Sequence, residues 1–217
     1  MKKGDFIWGG LFLAFCLVLA IPSTREAFIA FTDTYKLIGG FLKFSILATM
    51  GELLARRVGT GEWEFSSYFF VRAIVWGLLG ALITMIFTIY ATGVLELQSI
   101  GVLPFEGVAL SFAFFTATLM NVTFGPTFMY AHRISDTYLD MRHEGVKNIT
   151  ITKVVQRIDT ASFVSFVVMK TVPFFWIPAH TLTFLLPSQY RVLAAAMLSI
   201  ALGLILTLSK KKQSENA

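Results

Sequence analysis

Two stretches of this sequence, Ala73–Leu95 and Gly107–Ala131, run for 23 and 25 residues without a charged side chain. About 20 apolar residues carry an α-helix across the hydrocarbon core of a bilayer, and a soluble core helix needs no such uninterrupted run. Backbone polar groups in lipid must be satisfied within the chain, which leaves helices or closed barrels. Long runs without strict alternation select the helix. Composition agrees, since 56% of the 217 residues are apolar and 14% charged, against about 45–50% and about 25% in soluble domains. A soluble enzyme, a nucleic-acid binder and a disordered chain are thereby excluded. The expected fold class is all-α: one polytopic integral membrane helical bundle over residues 1–217.

Four further blocks bring the expected number of transmembrane helices to six. Phe6–Ile21 follows Lys2 and Lys3 and ends at Pro22, the outline of a secretory signal. Its end, Leu19-Ala20-Ile21-Pro22, lacks the small-residue pair of a cleavage site, and Phe15 is too bulky to precede a lipid-bearing Cys16. The block reads as a retained helix. Phe28–Leu54 carries Asp33, Lys36 and Lys43 in or beside it and so does not face lipid all round. Phe163–Leu186 contains Lys170 and His180 and is expected to break at Pro173 and Pro178. Val192–Leu208 is uncharged and ends at Lys210–Lys212. The single cysteine, Cys16, cannot close an intramolecular disulfide.

Threading six helices in order sorts the 18 basic residues behind the net charge of +5. One face receives Lys2, Lys3, Arg56, Arg57, Arg72, Arg133, Arg142, Lys147, Lys153, Arg157 and the three tail lysines; the other receives Arg25 and Arg191. Lys36, Lys43 and Lys170 fall within spans. Retained positive charge marks the cytoplasmic side, so both termini are expected there, in a bacterial cytoplasmic membrane or, alternatively, an organellar one. No arginine-rich amphipathic transit segment precedes the first block. The basic balance thus reports topology in a lipid bilayer, with no nucleic-acid partner. The connection 132–160 is the one sizeable polar segment. It reads as a helical extension of the fourth span stopped at Gly145, then a short helix from Thr150 or Thr152 running into the fifth. Asn148-Ile149-Thr150 matches a glycosylation sequon on the wrong face.

An ionisable side chain at the centre of a membrane helix costs about 2.5–3.5 kcal/mol on insertion scales and needs a partner, water or a route to the interface. Lys36 and Lys43 share a face, as do Ser45, Thr49 and Glu52; Trp176, His180, Thr183 and Pro187 share another, and Lys170 aligns with Thr181 eleven residues on. The candidate cavity or pore lining is Lys43, Glu52, Lys170, His180 and Thr183, and its basic character favours anions or small acidic metabolites. The alternative is that the lysines snorkel and the polar groups pair helix to helix. Small residues recur every four positions at Ala195, Ser199, Gly203 and Thr207, and at Gly80, Thr84 and Thr88 beside Gly77 and Ala81. Such stripes bring backbones together, within the chain or in a homo-oligomer. Gly125-Pro126 predicts a kink. No nucleophile elbow, P-loop, zincin or dinucleotide motif occurs, and His132, His143 and His180 have no metal-ligand spacing. No catalytic residue, metal or cofactor is expected, and the chain does not read as an enzyme.

Several segments together resemble a family of small organellar membrane proteins, the Mpv-seventeen and twenty-two-kilodalton peroxisomal membrane protein family. They are Trp176-Ile177-Pro178-Ala179 with Phe184, Pro187, Tyr190 and Arg191, then Leu208-Ser209; Gly51-Glu52-Leu53-Leu54-Ala55-Arg56; Arg72 with Gly77, Gly80 and Tyr90; and Asn121 with Pro126. The resemblance covers residues 28–210, with Glu52 where the family has aspartate and Ala81 where it has proline, and Phe6–Ile21 stands as an added helix. It implies a helical membrane protein acting as a channel or small-solute pore. Two other readings stand beside it: a substrate-binding component of a larger metabolite importer, and a non-transporting structural or stress-related protein that assembles through its small-residue faces.

Overall fold

In a computed structural model that describes residues 2–65 and 68–215, with side chains as far as residue 205, the described chain is all-helical and contains no strand. The helices are α1 (Lys3–Ala20), α2 (Pro22–Thr34), α3 (Lys36–Thr60), α4 (Phe69–Ser99), α5 (Ala109–Thr123), α6 (Gly125–His143), α7 (Ile151–Arg157) and the short α8 (Thr160–Ser162). A segment wound with the wider π pitch, Phe163–Trp176, leads into α9 (Ile177–Leu185), and α10 (Ser188–Glu215) closes the described chain. Five helical stretches are long and apolar enough to cross a membrane, and six if the bent pair α5 and α6 counts as one crossing.

Boundaries follow local chemistry. Ile21 is extended and Pro22 takes the first turn of α2, where its missing N–H costs nothing. Gly61 ends α3 at φ 78, a left-handed backbone that glycine adopts without steric penalty. Thr150 caps α7 by accepting from the Lys153 N–H.

The chain divides into two compact units, one of Met1–Ser66, Trp76–Thr84 and Val192–Ala217, the other of Ser67–Val75 and Met85–Arg191. In the first, α1 runs antiparallel to α3. Asp5 accepts from Arg57 Nε at 2.7 Å and Nη2 at 3.0 Å and from Trp63 Nε1 at 2.8 Å, while Trp8 Nε1 donates to the Met50 carbonyl at 3.0 Å. The α4 part of this unit is also antiparallel to α3. Gly80 lies against Gly40 and Phe44, Gly77 against the Phe41 ring, and Trp76 Nε1 donates to Glu52 Oε2 at 3.4 Å. By contrast α10 runs parallel to α3, since Gly51 faces Ile200 and Ala55 faces Gly203. In the second unit α5 packs along α9, burying Ala113, Ala117 and Met120 with Phe184. The Phe87 and Phe184 rings stand 4.9 Å apart.

Three expectations are corrected. The block expected over Phe28–Leu54 is interrupted at Tyr35, so the long helix is Lys36–Thr60 and Asp33 belongs to α2. Gly39 explains the fold-back, because a Cβ there would lie 2.9 Å from Thr32 Cβ. The stretch expected to break at Pro173 and Pro178 stays helical. Pro173 sits within the π winding, and Pro178 falls in the first turn of α9, the position proline tolerates. The short helix expected to run into that stretch instead ends at Arg157, and Asp159 caps a new start by accepting from the Ser162 N–H at 2.9 Å. The kink at Gly125-Pro126 is present as a 47° bend between α5 and α6. The extension of α6 ends at His143, followed by Gly145 at φ 77.

Candidate functional site

The buried polar centre of the second unit is built on α5 and α9. Asn121 Nδ2 donates to the Ala117 carbonyl at 2.7 Å, and His180 Nδ1 lies 2.9 Å from Asn121 Nδ2 and 3.1 Å from its Oδ1. Either tautomer of His180 therefore finds a partner in the one amide. Aromatic rings enclose it, with Trp176 stacked at 5.1 Å and Phe87 edge-on at 5.6 Å. Thr183 and Thr116 are also buried, and each hydroxyl donates to the carbonyl one turn back, Ala179 at 2.9 Å and Phe112 at 2.7 Å. Their oxygens remain available as acceptors.

Of the expected lining residues in this unit, His180 and Thr183 do share a buried face with Trp176 one turn earlier. Lys170 is exposed, and its alignment with Thr181 assumed a 3.6-residue period that the π winding of Phe163–Trp176 does not keep. Pro187 lies beyond the end of α9, after the extended Leu186, and so leaves that face. Arg191 covers the rings of Phe112 and Phe184 at 5.3 and 5.5 Å and donates from Nε to the Leu186 carbonyl at 2.9 Å. Its neighbour Tyr190 is half-buried.

A second polar cluster in this unit joins the start of α4 to α6. Arg72, 7% exposed, donates from Nη1 to Asp136 Oδ1 at 2.8 Å and from Nη2 to Asp140 Oδ1 at 2.5 Å. His132 Nε2 stands 3.3 Å from Asp136 Oδ2. The i, i+4 ladder His132, Asp136, Asp140 is visible in the sequence, but only the fold supplies Arg72 as its partner. Pro126 stands in the first turn of α6, below this ladder.

In the first unit, Lys43 is 6% exposed on an apolar helix, with its Nζ 5.2 Å from the centre of the Phe28 ring. A cation over a ring face is attracted by the ring quadrupole. Glu52, nine residues on, has different neighbours: Oε1 accepts from Arg56 Nη2 at 3.3 Å and Oε2 from Trp76. Gly51 admits α10, since a Cβ there would meet Ile200 Cα at 3.0 Å. The Asp5, Arg57 and Trp63 knot, which sequence reasoning missed, ties the start of α1 to the end of α3. Beside it Lys2 donates to Glu62 and holds that carboxyl below the usual carboxylate range.

The small-residue stripe at Gly80 and Thr84 packs on Gly40, and Gly203 of the second stripe lies against Gly51 and Ala55 of α3. Both stripes have partners within the chain. Thr207, Leu208-Ser209 and Lys210–Lys212 lie outside the described side chains. Among the described residues no group of three His, Cys, Asp or Glu side chains is placed to hold a metal ion.

No family model, curated protein or solved structure matches this chain.

Proposed function

We propose that this protein is a channel-like or small-solute transport protein of a bacterial cytoplasmic membrane, with both termini cytoplasmic and an anion or small acidic metabolite as its solute. The observation that carries the reading is the burial of Lys43 seven residues into Lys36–Thr60, a helix long and apolar enough to cross a membrane. An ionisable group kept at such depth is costly, and where one is retained it marks a solute path or an ion-pair partner. Here its near neighbour is an aromatic face, with the Asp33 carboxylate on α2 acting on it only through space, and a positive charge balanced at a distance attracts an anion in low dielectric. The enclosed Asn121 and His180 pair gives the second unit a polar point of the same kind. The sequence motifs from Gly51 to Arg191 support membership of the Mpv-seventeen-like family under this reading.

The test is anion and solute efflux from vesicles reconstituted with the purified chain. Lys43→Met should lower anion flux and shift the ion preference toward cations. Wild-type flux that Lys43→Met leaves unchanged overturns the lining assignment, and the absence of any wild-type flux overturns the transport reading.

A further inference from the structure

We infer that α6 and α7 form a flap, hinged at Phe124–Pro126 and at Ile158–Asp159 and latched to the start of α4 by Arg72. Both hinges are breaks in helical hydrogen bonding. At the first, the chain bends by 47°, and Pro126 has no N–H to return to Val122. At the second, Ile158 is extended at ψ 124 and Asp159 opens a new helix.

Between the hinges the segment holds together as one body. α6 packs on α7, Leu139, Met141, Val154 and Ile158 are buried, and Arg157 Nη2 donates to Glu144 Oε1 at 2.7 Å across the turn. Near the hinges Tyr130 is tied to the segment beyond Asp159, its ring 5.1 Å from Phe163 and its hydroxyl 3.2 Å from Thr160, so the part that swings is 133–157. Farther out, the attachment to α4 is polar: the buried Arg72 guanidinium grips Asp136 and Asp140, one turn apart, and Arg142 hydrogen-bonds Tyr68 at the start of α4. An apolar seam resists sliding in proportion to its area, whereas a two-point ion pair breaks at once when one partner is lost. That makes Arg72 a latch.

The hinge adjoins Asn121, the partner of His180, so flap motion reaches the polar pair directly. The flap's role as a gate for solute rests on the transport reading; the hinge and latch do not. Hydrogen exchange on the full chain in lipid nanodiscs separates the two.

With Arg72→Met, which leaves two partly exposed carboxylates, amides of residues 133–157 should exchange on the order of tenfold faster, the equilibrium equivalent of losing charged hydrogen bonds. Those of α5 and α9 should keep their wild-type rates. Asp140→Asn, at a side chain that is 54% exposed, tests the same latch without burying an unpaired charge and should accelerate the same amides by a smaller factor. Unchanged exchange in both variants, or acceleration spread evenly over the second unit, overturns the flap. If the flap exchanges faster while vesicle flux stays at the wild-type level, the gate role falls and the hinge stands. Absent wild-type flux removes the transport reading alone.

Discussion

Replacing Gly80 by alanine tests the packing of the first unit at its tightest point. A Cβ on Gly80 would lie 2.5 Å from Phe44 Cβ and 2.8 Å from Phe44 Cδ2, and closer still to the Gly40 carbonyl oxygen. Carbon atoms pack at about 3.5–4.0 Å, so α3 and α4 must separate by roughly 1 Å, and a gap of that size forfeits a quarter to a half of each contact it opens. The obstruction includes backbone, which no rotamer change relieves. Overpacking typically costs about 1–3 kcal/mol, and a site blocked by backbone belongs at the upper end. Alanine returns about 1 kcal/mol through helix propensity, leaving a net loss of about 1–2 kcal/mol. Gly93 on the same helix is the control, since nothing lies within 4 Å of its Cβ position; Gly93→Ala should be neutral or stabilising. The assay is unfolding in mixed detergent micelles, followed by circular dichroism. Gly80→Ala matching Gly93→Ala in stability would refute the close approach of the two backbones.

Three other outcomes follow from single contacts. Asn121→Leu strands a buried His180 nitrogen and should cost about 1–3 kcal/mol, whereas adding His180→Phe should recover most of that loss, measured as unfolding midpoints of the three variants. Thr150→Ala removes the α7 cap and should cost about 1 kcal/mol, with exchange accelerating in α7 before α6. The Glu62 carboxyl is depressed by Lys2, so its contribution is present above the ordinary carboxylate range and lost as pH falls through the folded value. Acidification should therefore loosen the start of α1, read from Trp63 fluorescence, and Glu62→Gln should flatten that response.

What could be read from the sequence was set by length and by local chemistry. The uncharged runs at Ala73–Leu95 and Gly107–Ala131 fall within α4 and across α5 and α6, and Gly125-Pro126 bends where proline lacks a donor. The face shared by His180 and Thr183, with Trp176 at the N-cap, was legible because α9 keeps the ordinary helical period. Lys170 was misaligned for the converse reason: no residue pattern announced the π winding of Phe163–Trp176. Phe28–Leu54 looked like one block because Tyr35 is itself apolar enough to hide a break. Nor can periodicity supply a partner from far along the chain, so the Asn121 to His180 bond and the grip of Arg72 on Asp136 and Asp140 needed the fold.

Helix direction in the first unit bears on where the termini lie. Asp5 at the start of α1 is tied to Arg57 near the end of α3, so these two ends coincide. Along α10 the order Ile200, Gly203 follows the order Gly51, Ala55 on α3, so α10 ends on the side where α3 ends. The starts of α1 and the end of α10 therefore emerge on one side of this unit, and Lys2, Lys3, Arg56 and Arg57 gather there. Helices that cross a membrane with both chain ends on one side must cross it an even number of times. If all five straight candidates cross, an even number needs the bent pair α5 and α6 to make one crossing rather than a re-entrant loop, because the five alone give an odd number. Topology reporters fused separately to the two termini should report the same side, cytoplasmic by the charge rule. Opposite sides would mean that the bent pair does not cross, and would remove the six-helix thread on which the placement of the basic residues depends.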